Sequence, residues 1–117
     1  MRVLGVDLAG SPRRPTGMCL MDESLEVVTW VAYGDAEIVE VALETAPEVV
    51  AVDAPLSLPR GRRSLEERSG NHLRVCDEML LDMGIRFFPV TLGPMRALTA
   101  RGMRLRDALE GLGLRVI

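Results

Sequence analysis

The sequence predicts a mixed α/β fold, and three features predict it. Two strand-like runs near the start are joined by a short polar turn. A helix-spaced segment ended by a proline leads directly into a short, wholly apolar run. The last quarter carries one long apolar stripe at helical spacing.

Arg2 to Ala9 alternates and then turns apolar, which suits a central strand. Ser11 to Thr16 contains Pro12 and Pro15 and reads as a loop. Gly17 to Met21 and Leu25 to Tyr33 are strand-like, and Asp22-Glu23-Ser24 between them turns the chain into an antiparallel hairpin. Asp35 is expected to cap a helix in which Ile38, Val39, Ala42, Leu43 and Ala46 recur at helical spacing, and Pro47 stops it. Val49 to Val52 has the continuous apolar character of a strand buried on both faces.

The second half opens with a basic segment, Arg60 to Gly70, expected to be the most mobile loop. Asn71 to Met83 is predicted helical, with Val75, Met79, Leu80 and Met83 inward, His72 exposed at its start and Gly84 as terminator. Phe87, Phe88 and the methionines read as core. Pro94 opens a final helix whose stripe runs Met95, Leu98, Gly102, Leu105, Leu109, Leu112. Gly102 in that stripe predicts a close approach of the helix to another backbone. Gly111 and Gly113 end the helix, and Leu114 to Ile117 begins a further strand.

Three antiparallel strands, a crossover helix and a parallel strand open a ribonuclease H-like sheet. The expectation is a single domain over residues 1–117, cut short at its C-terminal end. In this topology the fourth strand pairs with the first, and adjacent strands lie about 4.8 Å apart. Asp7 and Asp53, each at the C-terminal end of its strand, become neighbours. Taken singly, each aspartate is explained by turn formation. As a pair they suit Mg²⁺ or Mn²⁺, which take hard oxygen ligands.

Composition narrows the setting. The chain has 117 residues, 48% hydrophobic and 26% charged, as a globular domain does. It has no apolar run of membrane-spanning length and no signal-peptide layout at its start. Cys19 and Cys76 lack metal-ligand spacing and are expected to be reduced thiols in a cytoplasmic protein. Residues 1–59 hold three Arg against ten acids, and residues 60–117 hold eleven Arg against seven acids, so the net charge of −3 hides a strong asymmetry. Such a split places a positive surface beside an acidic site.

The pieces GVDLAGSPRRPTG, VAVDAPLSLP, RVCDEML, GIRFFP and PMRALTARG occur in an order that resembles a family of predicted nucleases with a ribonuclease H-like fold, domain of unknown function 429. The resemblance covers nearly all of this chain and about the first three fifths of the family's domain. It implies a metal-dependent phosphodiesterase with Asp7 and Asp53 where the family's acidic residues stand. Members usually continue past the strand that begins at Leu114, with a glutamate soon after, and this chain does not contain that residue.

The remaining candidates follow from position. Asp77, on the helix after the basic loop, is a candidate third catalytic carboxylate, although Arg74 three residues earlier offers surface ion pairing to Asp77 and Glu78 instead. Ala9, Gly10 and Ser11 form a small-residue turn able to act as a phosphate loop. Arg13, Arg14, Arg60, Arg62 and Arg63 are candidates for gripping a nucleic-acid backbone. One Trp, one Tyr and two Phe leave little scope for stacking bases on aromatic platforms. Two functions are expected: a metal-dependent nuclease acting on DNA or RNA, or a non-catalytic interaction or nucleotide-binding module with the same fold. The interrupted sheet further predicts self-association, as a homodimer or otherwise, through the exposed edge.

Overall fold

β1 (Arg2–Asp7) lies at the centre of the sheet because strands on both sides need its backbone. On one side it pairs antiparallel with β2 (Thr16–Asp22), bringing Asp7 opposite Gly17 and Val6 opposite Met18. β2 in turn pairs antiparallel with β3 (Val27–Ala32). On the other side β1 pairs parallel with β4 (Val49–Val52), Val6 opposite Val52. The order is β3-β2-β1-β4, the mixed sheet of a ribonuclease H-like fold. Residues 115–117 extend it: Val50 and Val52 amides donate to the Arg115 and Ile117 carbonyls at 2.8 Å, alongside a parallel bridge from Val50 to Val116. This computed structural model describes residues 1–117.

Strand alternation assigns the two faces of the sheet. Leu4, Val6, Met18 and Val50 point to one face and are buried there by Ile38 and Ala42 of α1 (Asp35–Thr45) and by Leu105 and Leu109 of α3 (Gly93–Gly111). Each such side chain contributes about 1.5–3 kcal/mol by leaving water. The opposite face carries Gly5, Gly17, Cys19 and Ala51, and these small residues floor an open cleft of about 890 Å³. α2 (Val75–Asp82) lies at the end of the long irregular stretch that follows β4.

The expected close approach at Gly102 is present. A Cβ there would stand 2.7 Å from the Pro55 carbonyl oxygen and 3.3 Å from the Ala54 Cβ, so α3 lies directly on the backbone that leaves β4.

Several expectations are corrected. Asp35 is the first residue of α1 rather than its cap, and Gly34 takes the cap position without a side-chain bond. Asp35 is drawn off by Arg101, whose Nε donates to it at 2.7 Å. α2 begins at Val75 instead of Asn71, and of the residues expected inward Val75, Met79 and Met83 are exposed while Leu80 is half-buried; Ile85 and Phe88 just beyond are exposed as well. Periodicity predicted the helix, but no other element of the chain packs on that face. Met18 is core, whereas Met1 and Met21 are exposed. His72 precedes the helix, and its Nδ1 lies 2.6 Å from the Thr91 hydroxyl, tying two irregular segments together.

Candidate active site

Asp7 and Asp53 meet at the C-terminal edge of the sheet. Asp7 is the last residue of β1, on the open face shared with Gly5. Asp53 follows β4, and its amide donates to the Val6 carbonyl at 2.8 Å, carrying the parallel ladder one step further. That step sets Asp53 beside Asp7, on strands spaced about 4.8 Å apart. Both side chains are exposed, and neither forms an ion pair. Together they border the end of the open cleft and a second, polar cavity of about 500 Å³ between the sheet edge and α3.

The loop after β1 is held from behind. The Ala9 amide donates to the Thr16 hydroxyl at 3.1 Å, and Thr16 is fully buried. The Ala9 carbonyl accepts from Arg101 Nη1 at 2.8 Å. Arg101 is 1% exposed and also donates to the Tyr33 carbonyl and the Asp35 carboxylate, so one guanidinium joins α3, the end of β3 and the β1 loop. The Ala9 amide is therefore committed within the protein and is no free donor for a phosphate. Gly10 and Arg14 line a third cavity of about 300 Å³ whose wall includes Asp7. Ser11 shapes the turn, accepting the Arg13 amide on its hydroxyl and the Arg14 amide on its carbonyl.

The loop after β4 is held by the same helix. Gly102 admits the Ala54-Pro55 backbone against α3, and Arg106 Nη1 donates to the Leu56 carbonyl. α3 thus fixes the backbone behind both aspartates.

The five nucleic-acid candidates separate. Arg13, Arg14, Arg60 and Arg63 are exposed. Arg62 is buried at 7% exposure and turns inward, donating to the carbonyls of Glu67, Ser69 and Asn71. It organises the 60–71 loop, and its one unpartnered nitrogen, Nε, is buried away from any external phosphate.

Asp77 does not join the aspartate pair. It is 2% exposed, and its two oxygens accept from Arg74: Oδ2 from the Arg74 amide at 2.9 Å and Nε at 3.0 Å, Oδ1 from Nη2 at 2.8 Å. The amide contact is one half of a capping box; arginine has no acceptor for the Asp77 amide, so the other half is not made and its fork binds the same carboxylate. Burial pushes the Asp77 carboxyl up, but the hydrogen bonds and charge of Arg74 outweigh it and leave the carboxyl below its ordinary range. The hydrogen bonds that Arg74 donates to Asp77 correspondingly raise Arg74. Glu78 is exposed and outside this pair.

Sequence reasoning passed over Arg101 and the placement of Arg74. Arg101 sits between Leu98 and Leu105 at spacings of three and four, so a charge stands within a buried stripe, and that was a signal to read. Arg74 had no such signal, because only the path of the irregular 53–74 segment brings it to the cavity shared by Asp7 and Asp53.

No family model matches the chain, and no curated protein matches it, so the resemblance to domain of unknown function 429 stands on the quoted residues alone. Among solved structures, a trimeric exonuclease, PhoExo I from Pyrococcus horikoshii OT3, is similar over 100% of this chain and 57% of its own, with 17% identity and a TM-score of 0.41. A crystal of the same exonuclease in complex with poly-dA matches 100% of this chain and 59% of its own, with 16% identity and a TM-score of 0.38. The chain therefore spans less than two thirds of the length of these structures.

Proposed function

We propose that the chain carries the metal-binding end of a nuclease-like phosphodiesterase acting on DNA or RNA, with Asp7 and Asp53 as ligands of Mg²⁺ or Mn²⁺. The observation that carries this reading is the pairing of two exposed carboxylates at adjacent strand ends, both opening on one polar cavity. The donor set fits a hard cation. Mg²⁺ is commonly held by one or two carboxylates while substrate phosphates and waters complete its shell. The chemistry such an ion supplies there is Lewis-acid polarisation of a phosphoryl oxygen and activation of water. The protein's own part is to hold the two carboxylates on a rigid sheet edge. Exposed Arg14 lines the cavity whose wall includes Asp7, and exposed Arg13, Arg60 and Arg63 offer further phosphate contacts. The resemblance to a family of predicted nucleases points the same way.

A second reading, a nucleotide-binding or interaction module without turnover, is favoured by one observation. Asp77 faces Arg74, which leaves two carboxylates where a two-metal phosphodiesterase gathers more.

Thermal unfolding with and without Mn²⁺ tests the site. At 100 times its Kd the ion adds about 2.7 kcal/mol by mass action. The rise in melting temperature is expected in the native chain and lost in Asp53→Asn, with the metal-free melting temperature preserved. Equal rises in both proteins exclude the aspartate pair as the cation site. Metal-dependent cleavage of a labelled oligonucleotide, abolished by Asp7→Asn, then selects the enzyme over the binding module.

A further inference from the structure

Arg74 lines the cavity that Asp7 and Asp53 share, yet it forms no ion pair with either of them. A surface arginine placed there only to neutralise the carboxylates would sit against them. Instead, buried Asp77 takes Nε and Nη2 and aligns the guanidinium edge-on. The Arg74 side chain is 22% exposed, and Nη1 has no protein partner. A cation aligned by a buried carboxylate, with donors left over, faces two exposed carboxylates across one cavity. Ligands that satisfy both sides at once are anions that also bind metal, and a phosphate group is one. Its oxygens accept from a guanidinium fork on one side and complete the shell of a hard cation on the other.

We infer that Arg74 is a phosphate-binding residue of this site, positioned by Asp77, and that the cavity takes a phosphate of a nucleotide or nucleic-acid substrate between Arg74 and the aspartate pair. The inference rests on the cation reading of Asp7 and Asp53, but Arg74 is read out separately. It also gives Asp77 a role: it acts through Arg74 and touches no substrate.

The probes are a 5′-mononucleotide and a short oligonucleotide with hydroxyl ends, titrated calorimetrically in Mn²⁺. Arg74→Gln alone strands a buried carboxylate, so the principal variant is Arg74→Gln with Asp77→Asn. Arg74→Lys is the second variant, keeping the charge beside Asp77 while losing the fork. The double variant is expected to keep the Mn²⁺-dependent thermal shift and to bind its probe about tenfold or more weakly, the size of one charge-assisted contact. Arg74→Lys is expected to fall between. Preference for the mononucleotide assigns the cavity to a terminal phosphate, and preference for the oligonucleotide assigns it to an internal phosphodiester. Native-like probe binding by either folded variant overturns the inference while leaving the metal site standing. If the native chain shows no Mn²⁺ shift, the cation reading fails. Arg74 is then judged by the same titration without metal, where equal binding by native and variant proteins overturns it and weaker binding by the variants supports it.

Discussion

The two sides of the cavity are built by different means. On one side α3 lies against the sheet, buries Leu105 and Leu109 completely, and fixes the backbone behind Asp7 and Asp53 through Arg101, Gly102 and Arg106. On the other, α2 buries only Asp77 and leaves Val75, Met79 and Met83 exposed. What orders that side is polar: Asp77 with Arg74, His72 with Thr91, and Arg62 with three loop carbonyls. Packed apolar surface resists displacement by many small contacts, whereas a side with little apolar burial, held by a few hydrogen bonds, opens locally at lower free energy. The carboxylates thus stand on the stiffer wall of the cavity and Arg74 on the softer one.

The largest effect is expected from removing the centre of the stiff wall. Arg101→Met leaves the Ala9 and Tyr33 carbonyls without their buried donor and Asp35 without its partner. Each lost hydrogen bond from the charged guanidinium to a carbonyl costs about 1.5–3 kcal/mol, whereas Asp35, 43% exposed, turns to water and adds little. Urea unfolding should show a loss of that size, and a loss below about 1 kcal/mol would mean that apolar packing alone holds the β1 loop. Gly102→Ala should be milder. The new Cβ meets the Pro55 carbonyl oxygen at 2.7 Å, an overpacking cost of about 1–3 kcal/mol, offset by about 1 kcal/mol of helix propensity. Because the displaced backbone adjoins Asp53, the variant should also show a smaller Mn²⁺-dependent thermal shift. An unchanged shift would show that the aspartates tolerate movement behind them.

The same contrast explains what was legible in the sequence. On the sheet and α3 side, burial dictates pattern, so the strands, α3 and the close approach at Gly102 could be read from alternation and helical spacing, and the neighbouring ends of β1 and β4 from the ribonuclease H-like topology that this element order opens. Where apolar periodicity had no partner, it misled: Met79, Met83 and Phe88 look like core residues but lie on the surface. Periodicity says that a face is apolar, and it cannot say that something covers it. Long-range polar ties were the other blind spot. Arg101 and Asp35 are 66 residues apart, and Asp35 followed by a helical pattern looks like a cap in any sequence. Arg62, set among four other arginine candidates, gave no local sign that it turns inward to carbonyls five to nine residues ahead.

The smallest effect, and the one specific to the soft wall, is its response to acid. Arg74 holds the Asp77 carboxyl below its ordinary value of 3.8 despite the upward push of burial. A carboxyl lowered on folding contributes stability in full above its unfolded pKa and loses that contribution as pH falls through the folded value. Arg74, itself raised by Asp77, stays charged throughout this range and gains no compensating proton. Asp22 is lowered as well, by the hydrogen bonds it accepts from the Ser24 hydroxyl and amide, so acid unfolding of the native chain alone does not isolate the pair. The difference between the native chain and Asp77→Asn does. The variant should be the less stable near neutral pH, and the gap should close as pH drops below about 4, because protonated Asp77 holds Arg74 little better than asparagine does. Nitrogen-resolved NMR of the Arg74 guanidinium across the same range should show Nε losing its slow exchange while the Arg101 signal persists. Simultaneous loss of both signals would mean that the two walls open together, and that the cavity has no soft side.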